Sequence, residues 1–217
     1  MLCKRVSILP VLVLTIVTAR TRLLSQDRPD IQYWSEFQVE HRLAEKVRWT
    51  ALVNPRFAED ISRLSTLKLA TSVGFQVTEH FSLAPFVYQY VKWPEPGRTG
   101  YETRLGGDAV LSFQKAAWRL QERNRVDLRD VDHRWSWRYR QQFQLSHPSP
   151  WKNLNLYASY EFFYDSQGSV WRQNRLQMGA VRRWNRYSLD LYFLSNDSHV
   201  SKKEDFYVIA SSVRFIL

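Results

Sequence analysis

The stretch RWSWRYRQQFQL, residues 134–145, decides the fold. Its alternate residues divide into two sets of opposite character. Trp135, Trp137, Tyr139, Gln141, Phe143 and Leu145 form one set, and five of these six are apolar or aromatic. Arg134, Ser136, Arg138, Arg140, Gln142 and Gln144 form the other, and all are polar. Successive side chains of a strand point to opposite faces of a sheet, whereas a helix would mix the two sets. The segment therefore reads as a strand with one aromatic face and one charged face.

The same period of two recurs along the chain. In 33–43, Tyr33, Phe37, Val39 and Leu43 stand against Glu36, Gln38, Glu40 and Arg42. In 67–77, Leu67, Leu69, Val73, Phe75 and Val77 stand against Lys68, Ser72, Gly74 and Gln76. Residues 47–57, 81–92, 101–113, 118–128, 153–164, 172–183, 187–195 and 205–217 complete eleven candidate strands. Two of them fit imperfectly: Glu122 falls on an apolar face, and 81–92 has aromatics on both faces. A tilted membrane strand needs about 9–11 residues, against a mode of about 5–6 for strands of soluble proteins. Length and the charged second face favour a membrane barrel with a polar lumen and aromatic girdles.

Composition agrees. Aromatics make up 15% of the 217 residues, while mean hydropathy is only −0.44. No run reaches the ~18 apolar residues of a spanning helix. A barrel tolerates a polar average because every second residue faces inward. The fold expected is all-β: a single transmembrane antiparallel up-and-down β-barrel of ten to twelve strands. Twelve is preferred, because bacterial barrels with both termini in the periplasm have an even count. Tight turns such as 44–45 and 78–79 are expected to alternate with longer loops such as WPEPGRTG, residues 93–100, and NDSHVSKKE, residues 196–204.

Residues 1–25 read as a signal peptide, with Lys4 and Arg5 ahead of the apolar run VSILPVLVLTIVTA. Residues 26–217 would be the barrel. Its expected location is the cell outer membrane, after export. Export makes nucleic acid an unsuitable partner, in spite of a formal charge of +10. Cys3 is the one cysteine and lies in the leader, so Cys-based metal sites and nucleophiles are not expected in the mature chain. The C-terminal segment carries Tyr207, Ile209, Val213, Phe215 and Leu217 on one face, a pattern suited to recognition by barrel-assembly machinery.

Several features resemble the family known as domain of unknown function 2490. They are the opening QDRPDIQYWSEF at 26–37, the arginine-rich pair 119–125 and 134–140, YASYEFFYD at 157–165, Arg175 and Gly179 within RLQMGA, and the closing aromatic strand. The resemblance implies secreted proteins of Gram-negative bacteria with an outer-membrane barrel. It implies no activity.

No G-x-S-x-G elbow, H-E-x-x-H helix or phosphate-cradling glycine loop is present, and no catalytic residue, metal ligand or cofactor is assigned. His41, His80, His133, His147 and His199 are dispersed. Asp130, Asp132 and His133 are the nearest approach to a catalytic cluster. The informative constellation is an arginine ladder. Arg119, Arg123 and Arg125 share a face of one strand, and Arg134, Arg138 and Arg140 share a face of the next. Paired as a hairpin, they would line the lumen. Glu36, Glu40, Glu102 and Glu161, with Asp108 and Asp190, fall on inward positions able to offset them. Two readings follow: a narrow pore whose basic wall attracts small anionic solutes, or a closed structural or interaction barrel locked by salt bridges. An outer-membrane lipid-modifying enzyme is a third. Outer-membrane lipids and lipopolysaccharide are the expected surroundings.

Overall fold

The computed structural model describes residues 28–151, 153–168, 170–200 and 205–217. The leader reading of 1–25, Cys3 included, lies outside them. Among the described residues there are eleven strands and no helix: β1 (Asp30–Ala44), β2 (Val47–Ala58), β3 (Arg63–Gln76), β4 (Phe81–Glu95), β5 (Arg98–Lys115), β6 (Trp118–Val131), β7 (Arg134–Pro148), β8 (Leu154–Asp165), β9 (Val170–Arg183), β10 (Tyr187–Ser198) and β11 (Phe206–Ile216). Each strand pairs with its sequence neighbours, and β1 pairs with β11 to close the barrel. Every segment that alternates in sequence is a strand in space.

The count is eleven, inside the expected range but not the preferred twelve. With an odd number, the first and last strands run in the same direction. Their pairing is therefore parallel, from Asp30↔Phe206 to Glu40↔Ile216, while all other neighbours are antiparallel. The barrel starts at one rim and ends at the other. The rim with Asp30 also carries the turns 96–97 and 132–133; it is called the N-rim below. The opposite C-rim carries the turns 45–46 and 116–117 and the end of β11.

The expected long loop at 93–100 is absent. Strands β4 and β5 run into it and leave only Pro96-Gly97 as the turn, with Gly97 at φ 79°. Asp132 and His133 form another two-residue turn at φ 50° and 64°. Positive φ at both central residues is the geometry whose twist suits a tight hairpin. This accounts for two members of the Asp130/Asp132/His133 cluster as turn residues.

Alternation sorts the side chains into two sets. Outward positions expose Phe37, Leu69, Val87, Val126, Leu191 and Ile209. Exposed aromatics gather near both ends, with Tyr101, Trp135 and Trp171 toward the N-rim and Phe113, Trp118 and Phe215 toward the C-rim. The misfit Glu122 is part of a polar cluster on this outer face. Its Oε1 accepts hydrogen bonds from Asn124 Nδ2 (3.0 Å) and Gln141 Nε2 (2.9 Å). The ambiguity of 81–92 has a simple cause. Phe86, Tyr88 and Tyr90 face inward and are buried, so this strand carries aromatics into the lumen as well as outward.

Two glycines make room for inward rings. A Cβ at Gly106 would meet the Val126 carbonyl and the Phe86 ring, the latter at 2.7 Å. A Cβ at Gly179 would lie 2.7 Å from the Tyr157 hydroxyl and 2.7 Å from Tyr192 Cβ. Contacts this short leave no space for a side chain.

Candidate functional site: a filled lumen and an open vestibule

The inward charges form connected ion pairs. Glu102 on β5 is their centre. Its Oε1 accepts from Arg104 Nε (2.7 Å) and Arg129 Nε (2.6 Å), and its Oε2 pairs with Lys92. Arg129 Nη1 reaches Asp165 on β8 at 3.5 Å, and Arg138 Nη2 on β7 donates to the same Asp165 oxygen at 2.6 Å. Arg104 Nη1 lies 3.7 Å from Asp127. One network thus spans β4 to β8.

Two further groups lie beside it. Arg125 donates from Nε and Nη2 to the two oxygens of Asp108, both at 2.6 Å, a bidentate fork. Glu161 accepts from Arg140 Nε (2.9 Å) and Arg123 Nη2 (2.8 Å). The hairpin register sets Arg125 directly opposite Arg140. Two guanidiniums opposite each other would repel, and Asp108 and Glu161 on the flanking strands supply the counter-charge. Arg123, Arg125, Arg138 and Arg140 of the ladder are all engaged in this way. Arg119 and Arg134 are exposed, near the C-rim and N-rim ends of their strands. Glu36 hydrogen-bonds with Gln38 and Ser212, and Glu40 lies within 3.7 Å of Arg48 and 3.5 Å of Arg214.

Aromatic rings fill the rest. Phe86 and Tyr88 stack with centroids 4.1 Å apart. Arg104 lies over Tyr90 at 4.3 Å, Lys68 over Tyr88 at 4.3 Å, Arg56 over Trp34 at 4.0 Å and Arg175 over Phe163 at 4.6 Å. A cation over a ring face is attracted by the ring quadrupole, more strongly where water is excluded. Arg56, Lys68 and Arg175 have no carboxylate within ion-pair distance among the described residues. Instead Arg56 Nε donates to Asn54 (2.7 Å) and Arg175 Nε to Asn196 (2.9 Å).

These side chains are dry. Glu102 and Asp127 are 0% exposed, and Phe163 and Asp165 are 1% exposed. Ten of the eleven strands contribute at least one buried inward residue, with Trp34, Asn54, Lys68 and Val208 on the wall opposite the ion network. Most of these positions lie in the half of the barrel nearer the N-rim. A side chain projecting into an open channel would be wet. The lumen is filled at this level.

The other half is open. Toward the C-rim, Gln114, Arg119, Gln121, Gln144, Asn155 and Arg183 line a cavity of about 250 Å³. Tyr157 is part of the same lining. The Tyr157 hydroxyl lies 3.0 Å from both Asp190 oxygens, donates to that carboxylate, and accepts from Gln177 Nε2 at 2.7 Å. Gly179 leaves the space this ring needs.

The residues that sequence reasoning overlooked are Asp127, Asp165, Arg104, Arg129, Arg56, Lys68, Lys92 and the aromatic wall of β4. Only the ladder advertised itself as a run; single charges on other strands gain meaning from neighbours across the barrel. Among the described residues no group of three His, Cys, Asp or Glu stands together as metal ligands would.

Residues 31–207 match the family described as "Protein of unknown function (DUF2490)". The chain belongs to that family. The resemblance to this family is thereby borne out; within the barrel, Arg175 lies over the Phe163 ring and Gly179 lies against Tyr157 and Tyr192. Among curated proteins no sequence matches it. Among solved structures it is similar to LpxR from Salmonella typhimurium, with a TM-score of 0.49 and 9% identity over 78% of this chain and 83% of that one.

Proposed function

We propose that this family member is an outer-membrane barrel closed by its own lumen side chains, an interaction or binding barrel and not a diffusion pore. The observation that carries the reading is the dry layer around Glu102, Asp127, Phe163 and Asp165. Solute passage would require breaking several buried ion pairs, and removing even one partner of such a pair costs about 3–5 kcal/mol. Membrane residence is supported by the apolar outer face with aromatics toward both rims, a surface that a water-soluble barrel would not expose. The aromatic closing strand suits the assembly machinery of the outer membrane, with lipid and lipopolysaccharide as surroundings. Purified protein in planar bilayers should show no stepwise conductance at any holding voltage.

A narrow anion-preferring pore is the second reading. It is favoured by Arg56, Lys68 and Arg175, lumen cations that no carboxylate pairs among the described residues. Regular anion-selective steps in the same bilayers would overturn the closed reading in its favour.

A further inference from the structure

We infer that the C-rim vestibule is a binding site for a small hydroxylated anion, a sugar ring carrying a phosphate or carboxylate group. The inference rests on the closed reading, because a blind cup can hold a ligand that an open pore would pass. Four observations support it.

The first is shape. The cavity, about 250 Å³, lies inside the barrel wall and has a filled layer beyond its floor. Binding sites are commonly concave pockets with a few convergent polar groups. The second is charge. Arg119 and Arg183 line the cavity, and neither has a carboxylate within ion-pair distance among the described residues. The one side-chain bond of Arg119 among these residues runs from Nε to Ser112 Oγ (2.9 Å), which leaves its terminal nitrogens free to form the planar fork that suits phosphate or carboxylate. This distinguishes Arg119 from Arg123, Arg125, Arg138 and Arg140, whose guanidiniums are held by acids. Of the two ladder arginines that no acid holds among the described residues, Arg119 lines this cavity and Arg134 is exposed at the opposite rim.

The third is the kind of polar group present. Gln114, Gln121, Gln144 and Asn155 present side-chain amides, each with both donor and acceptor atoms. A ring of hydroxyls needs both; a bare inorganic anion needs only donors. The fourth is a fixed aromatic ring. Tyr157 lines the cavity and is held through its hydroxyl by Asp190 and Gln177, so it supplies a fixed aromatic ring there. The same chemistry is available from a free sugar phosphate or from the phosphorylated sugar headgroup of a lipid reaching over the rim.

Calorimetric titration of the folded full-length protein in detergent tests this. Glucose 6-phosphate, glucose and inorganic phosphate serve as soluble probes, and micelles of a phosphorylated glycolipid as the lipid-borne one. The expected result is saturable binding of glucose 6-phosphate or of the glycolipid, whichever is the source. Glucose and phosphate alone should each bind at least tenfold more weakly. The double variant Arg119→Gln/Arg183→Gln should lose at least tenfold in affinity for the probe that binds. Arg134→Gln, which removes one charge at the opposite rim, should leave affinity unchanged. Heat-modified gel mobility verifies that each variant is folded. No saturation by either phosphosugar, equal binding of inorganic phosphate, or an undiminished double variant overturns the inference. Conductance recorded on the same preparation separates the two failures. A silent barrel that binds nothing removes the vestibule site alone, whereas a conducting barrel removes the closed reading as well.

Discussion

At the scale of the residue, one carboxylate holds more of the lumen together than any other. Glu102 is fully buried and meets Lys92, Arg104 and Arg129 at once. Neutralising it leaves three cations facing an amide in a dry layer. Glu102→Gln is expected to destabilise the folded barrel by about 3–5 kcal/mol, the range for stranding a buried charge. Glu40→Gln at the C-rim is expected to change stability by about 1 kcal/mol or less, because its partners Arg48 and Arg214 are largely exposed to water. Urea unfolding followed by tryptophan fluorescence measures both. Equal effects would mean that the lumen around Glu102 is wet and that the closed reading is wrong. Glu102 was legible in the sequence as an inward acid on an alternating strand. Its rank above Glu36, Glu40 and Glu161 was not. That rank depends on Arg129, 27 positions away along the chain but on the adjacent strand. Asp127 was invisible for the same reason: alone between Val126 and Leu128, it resembles any inward polar residue.

At the scale of the element, the strands were readable and their closure was not. A period of two is a local property, so RWSWRYRQQFQL and its ten counterparts can be recognised one at a time. Parity belongs to the closed ring. The even count expected from bacterial barrels gave way to eleven strands and a parallel β1–β11 seam, in which Ser35 faces Ser211. Odd-numbered membrane barrels do exist, and odd parity forces one parallel pair. The seam can be tested directly. With Cys3 replaced by Ser, Ser35→Cys and Ser211→Cys place two thiols on adjacent strands, where Cα separations fall in the range a disulfide can bridge. Mild oxidation should cross-link them and speed migration of the unfolded chain on a denaturing gel. The offset pair Ser35→Cys with Val213→Cys should cross-link far less, since Val213 pairs with Phe37. Equal cross-linking of both pairs, or of neither, would rule out this register.

At the scale of the whole molecule, the odd count and the asymmetric filling give the barrel a direction. Its dry layer lies toward the N-rim and its vestibule opens at the C-rim, so the two sides of a membrane would meet different surfaces. On the proposed outer-membrane reading, the closing strand ends on the periplasmic side, where assembly machinery acts. The vestibule would then open to the periplasm and the filled end would face outward. A twelve-strand barrel would bring both ends of the sheet back to one side; eleven strands cannot. Epitope tags separate the cases. A tag in the 132–133 turn should be accessible to antibody on intact cells, and so should a tag placed just before Asp30. Tags in the 116–117 turn and after Leu217 should become accessible only once the outer membrane is permeabilised. If the tags before Asp30 and after Leu217 report the same side, the chain crosses an even number of times and the parallel seam is wrong. If instead the 116–117 and Leu217 tags label on intact cells while the other two do not, the barrel is inverted and its vestibule faces the exterior.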